Sequence, residues 1–282
     1  MNNELSLLQA RDVLRRHGIR PRKSLGQNFL TNADAREIII KSAGIKADDV
    51  VLEIGPGLGA LTERLVDEAK QVISVEIDDH FYQILDSHFQ NCSNLRLVKG
   101  DILELQLSDL GLPSGYVVVA NIPYNITSAV IRHLMVSKTP ASRVVLTIQR
   151  EVAERIVAEP GEMSLLALSV QVFGAPTIKA HISAASFYPM PKVESSVLRV
   201  DMPLDIVSQP ELLDTLFKIA RAGFGQKRKQ LKNALAHGLP ISKSGAEQLL
   251  ESCGIEPRMR AEVLSVENWF CLAEAYERYK SL

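Results

Sequence analysis

Short apolar runs alternate with helically spaced segments along the first two-thirds of the chain. Residues 48–54 (Asp-Asp-Val-Val-Leu-Glu-Ile) form a buried-strand pattern ending at a glycine-rich turn, and Leu61, Leu65 and Val66 within 58–69 share one helical face. The runs at 71–77, 95–98, 116–120 and 143–148 repeat the strand signal, with a helix predicted over 80–89. Strands alternating with helices predict an α/β fold, a mainly parallel sheet covered on both faces. The run at 195–200 predicts a late strand that closes the sheet. Beyond it only helical spacing remains, over 210–221, 227–236, 245–252 and 268–279. The pattern predicts an α/β domain over 1–204 and a small all-α domain over 205–282, without internal repeats.

Composition adds limits. With 282 residues, 46% hydrophobic and 23% charged, the chain can bury a substantial core. No apolar run approaches the roughly 20 residues that cross a bilayer. The start, Met1-Asn-Asn-Glu-Leu5, lacks the plan of a signal peptide, so a cytoplasmic protein without membrane association is expected. Cys92, Cys253 and Cys271 are far apart and lack Cys-x-x-Cys or histidine company, which predicts buried or half-buried thiols and no zinc site.

The net charge of −1 conceals an uneven distribution. Arg11, Arg15, Arg16, Arg20, Arg22 and Lys23 face only Asp12 within 11–23, and Lys218, Arg221, Lys227, Arg228, Lys229 and Lys232 face no acid within 218–232. Residues 34–104 carry fourteen acids and seven bases. Two basic surfaces suit a polyanion, and the centre suits a cationic ligand. Each basic run alone also fits a solvated helix face.

Open parallel sheets bind ligands beyond the carboxyl ends of their strands, so the residues following each strand carry the candidate chemistry. The first such stretch is Glu53-Ile-Gly-Pro-Gly-Leu-Gly59, and acids follow at Glu76 and Asp101 after the next two strands. Gly55-x-Gly57-x-x-Ala60 also fits a loose dinucleotide fingerprint. Glu53 would repel a pyrophosphate there and attract a sulfonium or ammonium group. Glu76 can accept from ribose hydroxyls and Asp101 from an exocyclic amine, which together favour S-adenosyl-L-methionine over NAD.

After the fourth strand comes Asn121-Ile-Pro-Tyr-Asn125. An amine conjugated to a base is a poor nucleophile, and its reaction needs orientation more than a strong base. The Asn121 side-chain oxygen and the carbonyl of Ile122 or Pro123 can accept its hydrogens, and Tyr124 can stack on the ring. Such a pocket requires a flipped or unpaired base. An ordinary Asn-x-Pro turn is the alternative.

Lys23-Ser-Leu-Gly-Gln-Asn-Phe-Leu30, Glu53 to Thr62, Val75-Glu-Ile-Asp78, Gly100-Asp-Ile102, Asn121 to Asn125 and Phe187-Tyr-Pro-Met-Pro-Lys-Val193 together resemble the ribosomal RNA adenine N6-dimethyltransferases, specifically the KsgA (RsmA) type. The resemblance implies a Rossmann-like S-adenosylmethionine-dependent methyltransferase domain followed by a helical RNA-binding domain. It implies that Asn28 and Leu30 close over the cofactor. Gly55, with Gly57 beside it, lies against the methionine part. Glu76, with Ile77, holds the ribose, and Asp101 and Ile102 hold the adenine. Asn121 serves both cofactor and target amine, with Pro123 and Tyr124 in the catalytic loop, and Phe187 faces Tyr124 as a second aromatic wall.

The Erm-type 23S rRNA dimethyltransferases share nearly the same loop. Leu25-Gly-Gln27, Gln149 to Arg155 and Phe224 to Leu235 resemble the KsgA type instead. Within the last stretch, Lys227, Arg228 and Lys229, predicted at a helix start, form a phosphate-binding surface with Arg221 and Lys232. A binding factor that has lost its chemistry would show damage to the glycine turn, Asn121 or Tyr124, and all are intact. The expected activity is dimethylation at N6 of two adjacent adenosines in the 3′-terminal hairpin loop of 16S rRNA, within a 30S subunit precursor, by a monomer. Methyl transfer from a sulfonium needs no activated water, so no metal is expected.

Overall fold

Strands buried on both faces form the centre of the molecule, as parallel strands under helices must. A computed structural model of the chain describes residues 9–22, 25–203 and 210–280. The amino-terminal stretch read for a leader, Lys23 and the boundary near 204 lie outside the described residues. The strands are β1 (Phe29–Leu30), β2 (Val50–Ile54), β3 (Gln71–Glu76), β4 (Leu95–Lys99), β5 (Val117–Asn121), β6 (Arg143–Gln149), β7 (Ala175–Ile182), β8 (Phe187–Tyr188) and β9 (Ser195–Asp201). The helices are α1 (Ala10–Arg16), α2 (Ala33–Ala43), α3 (Thr62–Glu68), α4 (Asp79–His88), α5 (Thr127–Met135), α6 (Arg150–Ile156), α7 (Leu165–Gln171), α8 (Pro210–Phe224), α9 (Leu231–Gly238), α10 (Lys243–Ser252) and α11 (Val266–Lys280).

The main sheet runs β4-β3-β2-β5-β6-β9-β7. Its first five strands are parallel, and β9 is antiparallel to both neighbours. The chain steps outward from β2 through β3 to β4, then returns to β5 on the other side of β2. That reversal opens a crevice beyond the carboxyl ends of β2 and β5, where a ligand site is expected. The strand over 195–200 does not close the sheet, because β7 pairs along its outer side. The pattern conceals β7: Pro176 interrupts it, and a register shift lies between Ile178 and Ala180.

One core cluster packs Ile39 and Ile40 of α2 and Leu65 of α3 on Val51, Val119, Val145 and Val197 of the sheet. Burying each such side chain stabilises the fold by about 1.5–3 kcal/mol. Helix α2 starts where Asn32 accepts from the Ala35 N–H at 2.8 Å, and α4 where Asp78 accepts from the His80 N–H at 3.0 Å.

By contacts the chain divides into Met1–Ala153 with Ala175–Leu204, and Glu154–Gly174 with Asp205–Leu282. The segment Glu154–Gly174, placed in the first domain by the linear reading, thus groups with the helical unit. In that unit Cys253 and Cys271 are bonded, with Cα atoms 5.9 Å apart. This corrects the expectation of free thiols: folding brings the end of α10 beside α11, a proximity that spacing does not reveal. Cys92 is unbonded and half-buried, directed at Asn94 Oδ1 at 3.1 Å.

Candidate active site

The turn after β2 is built by glycine. Gly55 (φ 66°) and Gly57 (φ 58°) take left-handed conformations that side chains disfavour. A Cβ on Gly57 would stand 3.2 Å from the Phe29 ring, whereas one on Gly55 would meet nothing within 4 Å. Gly55 borders a cavity of about 200 Å³, whose lining includes Glu76, Ile77, Asp101, Ile102 and Asn121.

Glu76, at the end of β3, is 4% exposed and holds this turn in place. Its Oε2 accepts from the Gly57 N–H at 2.9 Å and its Oε1 from the Asp78 N–H at 2.8 Å. Burial raises its pKa above the ordinary carboxylate value, opposed by those two donors. Asp101, beyond β4, is oriented by the Leu103 N–H, which donates to its Oδ1 at 2.9 Å. Ile102 is buried, while Ile77 is 49% exposed. Glutamate, aspartate and apolar walls thus converge from successive strand ends.

Glu53 occupies a different place. Side chains alternate along a strand, and Glu53 does not line the cavity. It is 1% exposed, and its Oε2 accepts from Thr62 Oγ1 at 2.8 Å and Ser74 Oγ at 2.6 Å. Its Oε1 has no partner among the described residues. Burial raises its pKa to about 7. The direct attraction to a cationic ligand expected of Glu53 is therefore not built here.

Asn121 ends β5, and its Nδ2 donates to the Asn28 carbonyl at 3.0 Å. This bond engages the amide nitrogen, and Oδ1 remains an acceptor. Asn28 Nδ2 in turn donates to the Gly26 carbonyl at 3.1 Å, and a Cβ on Gly26 would approach Pro123 Cβ to 3.0 Å. The segment 25–30 therefore lies against the loop that follows β5. Pairing of β1 with β8 fixes it there, Phe29 opposite Tyr188 and Leu30 opposite Phe187, and the Thr31 N–H donates to the Ser186 carbonyl at 2.8 Å.

The Pro123 carbonyl accepts from the Ile126 N–H at 3.2 Å and Thr127 Oγ1 at 3.4 Å, so it belongs to the turn. Tyr124 forms part of the cavity lining, and its hydroxyl is 2.8 Å from Ser195 Oγ. Its pKa is raised by burial and eased by that bond. Phe187, expected as a second aromatic wall, is not among the residues that line this cavity. It is 4% exposed, pairs with Leu30 across β1 and β8, and packs in the core with Leu30, Ile182 and Val197. Two contributions were missed from sequence: Ser195, whose neighbours show only a strand pattern, and Gln27, whose Nε2 donates to Asp78 Oδ2 at 3.1 Å.

In the helical unit, Arg221 is exposed on α8. Lys227, Arg228 and Lys229 are exposed in the turn before α9, which begins only at Leu231. Three cations at a helix start would oppose the helix dipole, and the helix begins beyond them. Lys232 does not join this surface, since its Nζ is paired with Glu247 Oε1 at 2.7 Å. Among the described residues no helix is long and apolar enough to cross a membrane.

Residues 18–278 match the family model for ribosomal RNA adenine dimethylase. A ribosomal RNA small subunit methyltransferase A from Dehalococcoides mccartyi is 42% identical over 96% of this chain and 93% of its own length. One from Moorella thermoacetica is 38% identical over 94% of this chain and 96% of its own. The crystal structure of a dimethyladenosine transferase from Plasmodium falciparum superposes with a TM-score of 0.78 at 27% identity, covering 89% of this chain and 98% of that one. That of the 23S rRNA methyltransferase ErmE gives 0.70 at 25% identity, covering 89% and 100%. This chain belongs to the ribosomal RNA adenine dimethylase family.

Proposed function

We propose that this enzyme dimethylates N6 of two adjacent adenosines in the 3′-terminal hairpin loop of 16S rRNA, using S-adenosyl-L-methionine. The observation that carries the proposal is the placement of Asn121 in the cavity lining beside Tyr124, with its amide nitrogen engaged by the Asn28 carbonyl. The kinship with small subunit methyltransferases favours 16S rRNA.

The lining fits the cofactor's chemistry. Glu76 retains lone pairs for ribose hydroxyls beyond the two backbone bonds it accepts, and Asp101 presents a carboxylate suited to the adenine amine. Ile77 and Ile102 supply apolar contact for the base, Gly55 lets the backbone approach the methionine part, and Asn28 and Leu30 border the same space. When bound, S-adenosyl-L-methionine supplies an electrophilic methyl group on a sulfonium.

The chain's own residues then orient the target. Asn121 Oδ1 and the Ile122 carbonyl accept the two amine hydrogens, directing the nitrogen lone pair towards the methyl group. The Pro123 carbonyl is engaged in the turn, and its ring stiffens the loop. Positive charge grows on the nitrogen during transfer, and the same acceptors stabilise it. Tyr124, held by Ser195, stacks on the flipped adenine. Phe187 acts through the β1–β8 pair, which anchors Phe29 and Leu30 directly after Asn28.

The enzyme acts as a monomer in the cytoplasm on a 30S subunit precursor, with Arg221, Lys227, Arg228 and Lys229 holding RNA phosphates. Incubation with labelled cofactor and, separately, undermethylated 30S particles, naked 16S rRNA and 23S rRNA tests the reading. Label in the 16S rRNA of the particles is expected. Label in 23S rRNA alone, or in no RNA, contradicts it.

A further inference from the structure

A second concavity, of about 500 Å³, lies between α1 and α4. Val13 and Ile84, which pack the two helices together, line its apolar part. Arg16 and His17 from the end of α1, with His80, Gln83, Ser87 and His88 from α4, supply the polar part. Positions 80, 83, 84, 87 and 88 recur at helical spacing on one face of α4. The acids of these helices, Asp12, Asp79 and Asp86, are absent from the lining. Asp79 is paired with Lys99 at 2.7 Å, and Asp78 with Arg22 at 3.5 Å. Glu63 faces His88 Nε2 at 3.9 Å. A helix from the basic run 11–23 and one from the acid-rich segment 34–104 thus both turn donors into this groove and acids away from it. Arg16, His17 and His80 form no ion pair among the described residues.

Val13, which lines the groove, packs in one cluster with Phe29, which lines the catalytic cavity. Arg11 stands over the Tyr188 ring, 4.8 Å from its centre. Tyr188 is the strand partner of Phe29, which lines the cavity. From Arg11 to Arg16 the helix rises on the order of 8 Å. We propose that this groove binds a backbone phosphodiester of the RNA, within a few nucleotides of the target adenosine. The inference rests on the RNA reading above. An arginine fork, imidazole N–H groups and the amide and hydroxyl of Gln83 and Ser87 all donate to phosphate oxygens. Such contacts set position rather than sequence.

The test compares the full chain with its Arg16→Ala/His80→Ala variant, both sites being exposed and apart from the core. RNA affinity is measured against salt concentration, with Lys227→Ala/Arg228→Ala/Lys229→Ala as a parallel control. Losing the phosphate contact weakens RNA binding roughly tenfold and lowers the salt slope by about 0.7–0.9. Cofactor affinity and the rate at saturating RNA stay at wild-type values. Wild-type RNA affinity and slope in the groove variant, beside a weakened control, overturn the proposal. So does inorganic phosphate that binds the wild type and not the variant while RNA binding is equal in both. A wild type that binds no ribosomal RNA sinks both the substrate reading and the groove.

Discussion

At Asn121 the proposed chemistry depends on a single hydrogen bond. With Nδ2 donating to the Asn28 carbonyl, Oδ1 remains the acceptor that the proposed reading assigns to an aromatic amine. Asn121→Ala removes that acceptor, and transfer falls at least a hundredfold, on the scale of losing a transition-state stabilising group. Cofactor binding stays measurable by calorimetry, because Glu76 and Asp101 are untouched. Full activity in the variant would contradict the role. Glu53 makes a different prediction. Its pKa of about 7 in the folded protein lies above its ordinary value of 4.5, so folding favours its neutral form. The stabilisation is complete below about pH 4.5 and is lost as pH rises through 7, a change of about 3 kcal/mol. Melting temperatures of Glu53→Gln between pH 5 and 8 should lack this descending component, and a slope equal to wild type would refute it.

The glycine turn after β2 works as an element. The Gly57 N–H is held by Glu76, and its α-carbon faces the Phe29 ring, so strand, turn and the 25–30 segment fix one another. Gly57→Ala adds left-handed strain of about 1–2 kcal/mol and a 3.2 Å contact with Phe29. Cofactor affinity measured by calorimetry should fall about tenfold or more, and wild-type affinity would show the turn to be tolerant. The strands β2, β3, β5 and β6 are legible in sequence because burial on both faces leaves nearly unbroken apolar runs. Strand β7 is not legible, being an edge strand of alternating exposure interrupted by Pro176. The two-residue strands β1 and β8 carry no period at all, and their pairing joins residues distant in sequence. The acids at strand ends were visible from position alone. The inward turn of Glu53 and Phe187 and the Lys232–Glu247 pair required the folded chain.

Over the whole molecule, charge and catalysis divide between two units. The first holds the cavity and the α1–α4 groove, and the second carries the exposed Arg221, Lys227, Arg228 and Lys229. Removing the three adjacent charges at 227–229 should weaken RNA binding across sequences and lower its salt slope by about 2, counting roughly 0.7 per phosphate. Unchanged binding would assign the RNA surface elsewhere. Lys232→Ala, by contrast, should reduce stability with little change in the salt slope, since its charge is matched by Glu247. The most direct measurement of the central claim is nucleoside mass spectrometry of undermethylated 30S particles treated with enzyme and cofactor. N6,N6-dimethyladenosine at two adjacent positions of the 16S 3′-terminal hairpin, absent with Asn121→Ala, is the predicted result. Modification at another base, only in 23S rRNA, or retained in that variant would contradict it.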